Sequence, residues 1–247
     1  MDESRTVLAI DTATEACSLA LAIGDRVIAR HVVAGRDQTA VLLPLFHQLL
    51  AEAGIAVGKL DAIACGVGPG SFAGVRIGVG FVKGLTLVHD LPIVPIVSLA
   101  CLAQGAMRRT GATRVLSCID ARMSEVYAAT YERGPDGLPH AVDAPRVGKP
   151  ETFSASIAAP WIATGTGWGT YRNVLLTRLS PPPAGEEPAA LPEAIDAIPL
   201  ARAALAKRET IAADVLEPLY LRNDVALTLE QQAQARRQKS MTTTGGN

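Results

Sequence analysis

The chain has 247 residues, room for two small domains, and 49% of them are apolar, enough for a sizeable core. Its 23 basic and 24 acidic residues leave a net charge of −1, which gives no electrostatic footprint for gripping nucleic acid. Aromatics are only 4%, so the expected core is aliphatic, with few rings on which bases could stack.

Val7–Ile10 is a short apolar run that reads as a buried strand ending in the turn residues Asp11-Thr12-Ala13-Thr14. Ala16–Ile23 and Arg26–Val33 read as two further strands joined by a Gly24-Asp25 hairpin turn. From Gln38 to Ala53 the period changes. Leu42, Leu45, Phe46, Leu49 and Leu50 form one helical face, Val41 and Leu43 add apolar surface beside it, and Gly54 is a natural stop. Pro44 must lie in the first turn or kink the helix. Asp61–Val67 is a strand, Phe72–Val88 a glycine-rich helix, Ile93–Val97 a strand and Leu99–Arg109 a helix.

The pattern then restarts. Arg114–Asp120 is a strand ending in Asp, Glu125–Glu132 a second, and a third is expected near 141–147. Glu151–Ala158 is expected as a short helix, and Trp161–Thr164 as a strand before Gly165-Thr166-Gly167. Pro181–Gly185 reads as a loop and Glu193–Arg208 as a helix. Three antiparallel strands followed by αβα, used twice, resemble the duplicated ribonuclease H-like fold of the actin-like ATPases. The expected domains are residues 1–108, residues 109–225 and a polar tail, 226–247, in which 227–239 could form an isolated helix and the final Thr-Thr-Thr-Gly-Gly-Asn has no reason to fold.

Four cysteines, at 17, 65, 101 and 118, have no C-x-x-C spacing; buried reduced thiols are expected at 17, 65 and 118. The start Met-Asp-Glu-Ser-Arg has no basic leader, and the apolar stretch Leu85–Ala103 is broken by His89, Asp90, Pro92 and Pro95. A cytoplasmic protein with no membrane contact is the expectation.

Asp11 and Asp120 end matching strands of the two repeats. Facing across a cleft they would suit a metal-bound nucleotide; equally, they cap their own turns, since Ala13 crowds the phosphate approach and Arg122 can neutralise a carboxylate. Gly68-x-Gly70-x-x-Ala73 satisfies a relaxed dinucleotide fingerprint, but the acidic residue expected later falls near His89 and Asp90. His31, His47, His89 and His140 are too scattered for a metal motif, and Ser71 lacks the flanks of a nucleophile elbow. Gly74, Gly78, Gly80 and Gly84 each cost a helix about 1 kcal/mol. They allow close packing, either of another helix or of the domain's own sheet.

The segments Leu8–Ser18, Gly68–Gly78, Ile119–Met123, Gly165–Trp168 and Pro218–Asn223, in that order, resemble the signatures of the TsaB (YeaZ) family over residues 6 to 226. The resemblance implies two actin-like lobes and a non-catalytic subunit. Its partner is TsaD, the catalytic subunit that transfers threonylcarbamoyl to adenosine in tRNA, joined by the ATPase TsaE. A homodimer when alone, tRNA contact only through partners, and no bound cofactor or metal are also implied. TsaD-like chains carry an H-x-x-x-H metal motif whose places fall here at Ser98 and Leu102, a poor ligand and a non-ligand. The family pairs through helices of its first domain, so Leu42, Leu45, Phe46, Leu49, Gly74, Ile77, Gly78 and Phe81 are the expected interface. The readings set against this one are an independent actin-like ATPase or sugar kinase using Asp11 and Asp120, and a peptidase, for which no metal or nucleophile is evident.

Overall fold

A computed structural model describes residues 5–222. The tail, with its expected helix over 227–239, lies outside the described residues. Strand β1 (Val7–Asp11) is buried along its whole length, because the sheet it centres is covered on both faces. It pairs antiparallel with β2 (Ala16–Ile23), which pairs antiparallel with β3 (Arg26–Val33). On its other side β1 pairs parallel with β4 (Ala62–Gly68), and β4 with β5 (Ile93–Val97), giving the order β3-β2-β1-β4-β5. Helices α1 (Gln38–Ala53) and α2 (Phe72–His89) cover one face. Gly54 ends α1 in the left-handed region, φ +69°. Pro44 falls in the second turn of α1, on its exposed side, rather than in the first turn. By length and composition α2 could cross a membrane, yet Val75, Val79 and Val82 are part of this sheet's core.

Helix α3 (Ser98–Thr110) leads into the second half. Strands β6 (Arg114–Arg122) and β7 (Glu125–Arg133) form its central hairpin. The single third strand expected near 141–147 is two short ones, β8 (Pro139–Ala141) and β9 (Arg146–Gly148), each pairing antiparallel with β7. The helix expected over Glu151–Ala158 does not form. A single 3-10 turn, Pro150–Thr152, and a short strand, β10 (Ala155–Ser156), stand in its place. Phe153 and Ile157 are both buried there, so the segment anchors its apolar side chains as an extended plug between prolines 150 and 160. Next come β11 (Ile162–Thr164), a helix the sequence reading leaves unassigned, α4 (Thr166–Arg178), then β12 (Leu179–Ser180), β13 (Gly185–Glu187) and α5 (Ala194–Ala206). The β10 and β12 pair stands apart as a two-stranded sheet. The main sheet runs β13-β11-β6-β7-β8, with β9 beside β8's neighbour β7. Counted from its own first strand, this is the same order as in the first sheet.

The two sheets exchange their last helices. Although α3 follows the first sheet in sequence, Leu99, Leu102, Ala106 and Met107 pack with Val115, Ile119 and Tyr131 of the second. Conversely, Ala194, Ala197, Ile198, Ala201 and Leu205 of α5 seal the back of the first sheet against Val7, Ala9, Ala20 and Ala64. The exchanged helices touch each other through a charged seam. Asp196, almost fully buried, accepts from Arg108 Nε at 2.7 Å and Nη2 at 3.1 Å. Arg109 makes a bidentate pair with Glu187, both bonds 2.9 Å, and reaches Glu193 at 3.2 Å. Each half therefore contributes a core helix to the other's sheet.

Candidate functional site

The turn after β1 is built around Asp11. Its carboxylate is buried, accepting the Ala13 N–H at 2.9 Å and the Ser98 hydroxyl at 2.8 Å. Burial pushes its pKa up to about 6, partly offset by those two hydrogen bonds. A Cβ on Gly66 would stand 2.3 Å from Asp11 Oδ2, so the neighbouring strand closes over the carboxylate. Thr12, also buried, donates to the Gly74 carbonyl at 2.7 Å, and Gln38 of α1 donates to the carbonyls of Thr12 (3.2 Å), Thr14 and Ala16 (3.1 Å). The side chains of Asp11 and Thr12 both bond within their own lobe.

Between the lobes lies a cleft of about 790 Å3. Its first wall holds Ala13–Glu15, Arg36 and the start of α2, Ser71, Phe72 and Arg76; its second holds Asp120–Met123, Thr166 and Thr170. Asp120 lies on this cleft and Asp11 does not, so the two aspartates do not face each other across it. Asp120 is instead held by its own turn, accepting from Arg122 N at 2.8 Å and Arg122 Nη1 at 3.2 Å. Arg122, Met123 and Ser124 all have positive φ, 61°, 54° and 59°. Three consecutive non-glycine residues there cost on the order of 1–3 kcal/mol each.

The fingerprint glycines serve packing as well. A Cβ on Gly70 would stand 2.0 Å from the Ala13 carbonyl oxygen, which accepts the Ser71 N–H at 2.6 Å. The Ser71 side chain caps α2 by accepting from Gly74 N at 3.3 Å. No room is left between this turn and the Asp11 turn for a dinucleotide's pyrophosphate. At the two places where the resemblance puts metal ligands, Ser98 is engaged with Asp11 and Leu102 is buried among second-lobe side chains. Among the described residues, no three His, Cys, Asp or Glu side chains are grouped to hold a metal. All four cysteines are buried and free; burial pushes the Cys17 and Cys65 thiols up to about 11 and 12.

The structure sorts the expected interface residues. Leu42, Phe46, Leu49, Gly74 and Gly78 are buried in the first lobe and cannot present themselves to a partner. A Cβ on Gly74 would lie 2.2 Å from the Thr12 carbonyl oxygen, and one on Gly78 2.5 Å from Thr12 Oγ1. This pair of glycines lets α2 sit on the Asp11 turn. Gly80 and Gly84 have nothing within 4 Å and are exposed, so the other pair opens outward. Leu45, Ile77 and Phe81 are half-buried, Leu43 is exposed, and Phe81 stacks edge-on against Phe46 with ring centres 5.3 Å apart.

One cluster escaped the sequence reading. The segment 218–222, without regular secondary structure, lines the cleft as a strap between the lobes. Leu219 N donates to the Val67 carbonyl at 2.8 Å in the first lobe; Arg222 pairs with Glu125 and donates to the Ala121 carbonyl at 3.3 Å in the second. Midway, Tyr220 accepts from Arg76 Nη2 at 2.5 Å. The Arg76 guanidinium lies 3.3 Å from the Phe72 ring centre and 5.0 Å from that of Tyr220. Both partners belong to motif segments already singled out, but 144 residues separate them, and nothing in a single sequence pairs such positions.

Two lobes of the same sheet order, with exchanged helices and a cleft at their hairpin turns, define a protein of the actin-like ATPase superfamily. The family model "TsaD: tRNA N6-adenosine threonylcarbamoyltransferase" matches residues 32–228. The Escherichia coli "tRNA threonylcarbamoyladenosine biosynthesis protein TsaB" is 42% identical over 223 residues, 89% of this chain and 96% of that protein. The Haemophilus influenzae protein of the same name is 36% identical over 231 residues, covering 90% and 96%. The solved structure "YeaZ from Pseudomonas aeruginosa" superposes with a TM-score of 0.83 at 41% identity, covering 88% of this chain and all of that one. The chain belongs to the TsaB family, inside the wider group that the TsaD model describes.

Proposed function

We propose that this chain is the non-catalytic subunit of a threonylcarbamoyl transfer system that modifies adenosine in tRNA. Its partner is a TsaD-like catalytic subunit, with a TsaE-like ATPase joining the pair. The observation that carries the reading is the near full-length match to two proteins named for tRNA threonylcarbamoyladenosine biosynthesis. The state of the two aspartates supports the non-catalytic part: Asp11 is sealed behind Gly66, and Asp120 is neutralised by Arg122. Asp11 is closed to a metal-bound phosphate and Asp120, which lies on the cleft, is already paired with Arg122, which also weighs against the independent ATPase or sugar kinase.

The docking face in this reading is the outer surface of α1 and α2, with Leu43, Leu45, Ile77, Phe81, Gly80 and Gly84. Small residues at i and i+4 with open space above them let a partner helix approach closely. A second copy of this chain could occupy the same face when the partner is absent. Buried Gly74 and Gly78 drop out of that face. The test is co-purification with a TsaD-like chain, followed by nucleoside analysis of tRNA after depletion. Loss of threonylcarbamoyladenosine together with a stable pair is expected. Unchanged tRNA would overturn the functional reading. Metal-dependent ATP hydrolysis by the pure chain would overturn the non-catalytic one.

A further inference from the structure

The interlobe cleft has features that neither its own turns nor the α1–α2 surface explains. Four of its backbone donors are engaged within the chain: Ala13 N by Asp11, Arg122 N by Asp120, Ser71 N by the Ala13 carbonyl and Asp120 N by Thr166 Oγ1 at 3.2 Å. Phosphate cradles depend on such amides being free. The cleft offers side chains instead. Phe72 from the first lobe, Met123 from the second and Tyr220 from the strap are 61%, 78% and 50% exposed around it. These three exposed apolar side chains are drawn from three distant parts of the chain. Met123 is held outward by the left-handed turn, a conformation that needs a compensating reason.

The charge around the cleft also departs from the chain's average. Arg36, Arg76, Arg122 and Arg222 line it, against Glu15 and Asp120, in a chain of net charge −1. Arg122 is matched by Asp120 and Arg222 by Glu125. Arg36 and Arg76 have no carboxylate partner among the described residues, and Arg76 is pre-organised by its ring contacts and by a hydrogen bond to the Phe72 carbonyl at 2.9 Å. The strap 218–222 forms part of the cleft's wall, fixed by a backbone hydrogen bond at one end and a side-chain ion pair at the other.

We propose that the interlobe cleft is a docking site for an extended acidic peptide segment of another protein. An apolar side chain of that segment rests on Phe72, Met123 and Tyr220, and a carboxylate meets Arg76 and Arg36. The inference does not depend on the α1–α2 docking reading, because none of those outward-facing residues lines the cleft.

The test pans phage-displayed random dodecapeptides on the immobilised full chain, with counter-selection on an Arg36→Glu/Arg76→Glu variant. Both side chains are at the surface, and a thermal melt matching wild type verifies the variant's fold. Enriched sequences are expected to combine Asp or Glu with an aromatic residue or leucine. The best synthetic peptide should bind the wild-type chain with a dissociation constant in the micromolar range. Affinity should fall at least about tenfold in Arg76→Gln and in Phe72→Ala, and fall with added salt. No enrichment over the counter-selected variant, enrichment of peptides without acids, or affinity indifferent to both single substitutions would overturn the proposal. So would micromolar binding of ATP or AMP that the same substitutions abolish, since that would make the cleft a nucleotide site. Loss of a TsaD-like partner with retained peptide binding would count against the α1–α2 surface alone.

Discussion

Four glycines on one helix should respond to the same substitution with opposite signs. Gly80 and Gly84 sit inside α2 with open space where a Cβ would go. Alanine there removes a helix-propensity penalty of about 1 kcal/mol per site and adds no clash. The double variant Gly80→Ala/Gly84→Ala should gain roughly 2 kcal/mol, and at about 2–4 °C per kcal/mol its melting temperature should rise by roughly 4–8 °C. Gly74 and Gly78 carry the same propensity penalty, but their Cβ positions lie 2.2 and 2.5 Å from oxygen atoms of Thr12. One of these is a backbone carbonyl, which cannot rotate away. At Gly74 a methyl group must therefore lift α2 from the Asp11 turn, and at Gly78 it must push the Thr12 hydroxyl off the Gly74 carbonyl. That breaks the Thr12–Gly74 hydrogen bond and disturbs the Gln38 contacts. Overpacking and unpaired buried groups each cost about 1–3 kcal/mol, so a net loss of roughly 1–4 kcal/mol is expected at either site. Urea and thermal melts of the single variants check this directly. Gly78→Ala as stable as wild type, or Gly84→Ala less stable, would refute the assignment of the two pairs to opposite faces. The same geometry supplies a clean docking test. Gly84→Leu should fold at least as well as wild type yet lose the partner, whereas Gly78→Leu would confuse folding with binding.

Asp11 titrates with a raised pKa of about 6, so the folded chain holds a proton that the unfolded chain, near 3.8, releases. Its protonated form favours folding below about pH 4; that contribution declines as pH rises to about 6 and is absent above it, a span on the order of 3 kcal/mol. Asp11→Asn should flatten the stability profile across this window by denaturant titration at stepped pH, and an unchanged profile would place the titration elsewhere. Arg108→Met strands the buried Asp196 and should cost about 3 kcal/mol by chemical denaturation, while Arg30→Met at the half-exposed Glu52 pair should cost less than about 1; equal costs would contradict the burial argument. Arg222→Ala frees the strap from Glu125, so hydrogen exchange at the Leu219 amide should accelerate by at least about tenfold with little change at β1; matched rates in the two proteins would mean the strap is held by other contacts.

The sequence alone determined the elements wherever period and punctuation agree. The alternating and all-apolar runs of the first sheet, the Leu42–Leu50 stripe and the Gly54 stop all depend on local chemistry, and each structural element stands within two residues of its expected position. The restart at Arg114 was legible for the same reason, as was the duplicated ribonuclease H-like plan. Where local signals weaken, the reading failed. Helix α4 carries two glycines, no clean apolar stripe and non-helical dihedrals at Tyr171, and it forms because Trp168 and Leu175 are drawn into the second core. The plug at 153–157 shows the converse: apolar residues four apart suit a helix, yet both can be buried from an extended chain. Which face each glycine served, which helix covered which sheet, and that Asp11 turns inward while Asp120 meets the cleft were decided only by tertiary structure. Those outcomes are set by contacts between residues far apart in the chain, such as Thr12 with Gly74, Arg108 with Asp196 and Arg76 with Tyr220. A sequence fixes such pairs through the whole fold, and its local period carries no record of them.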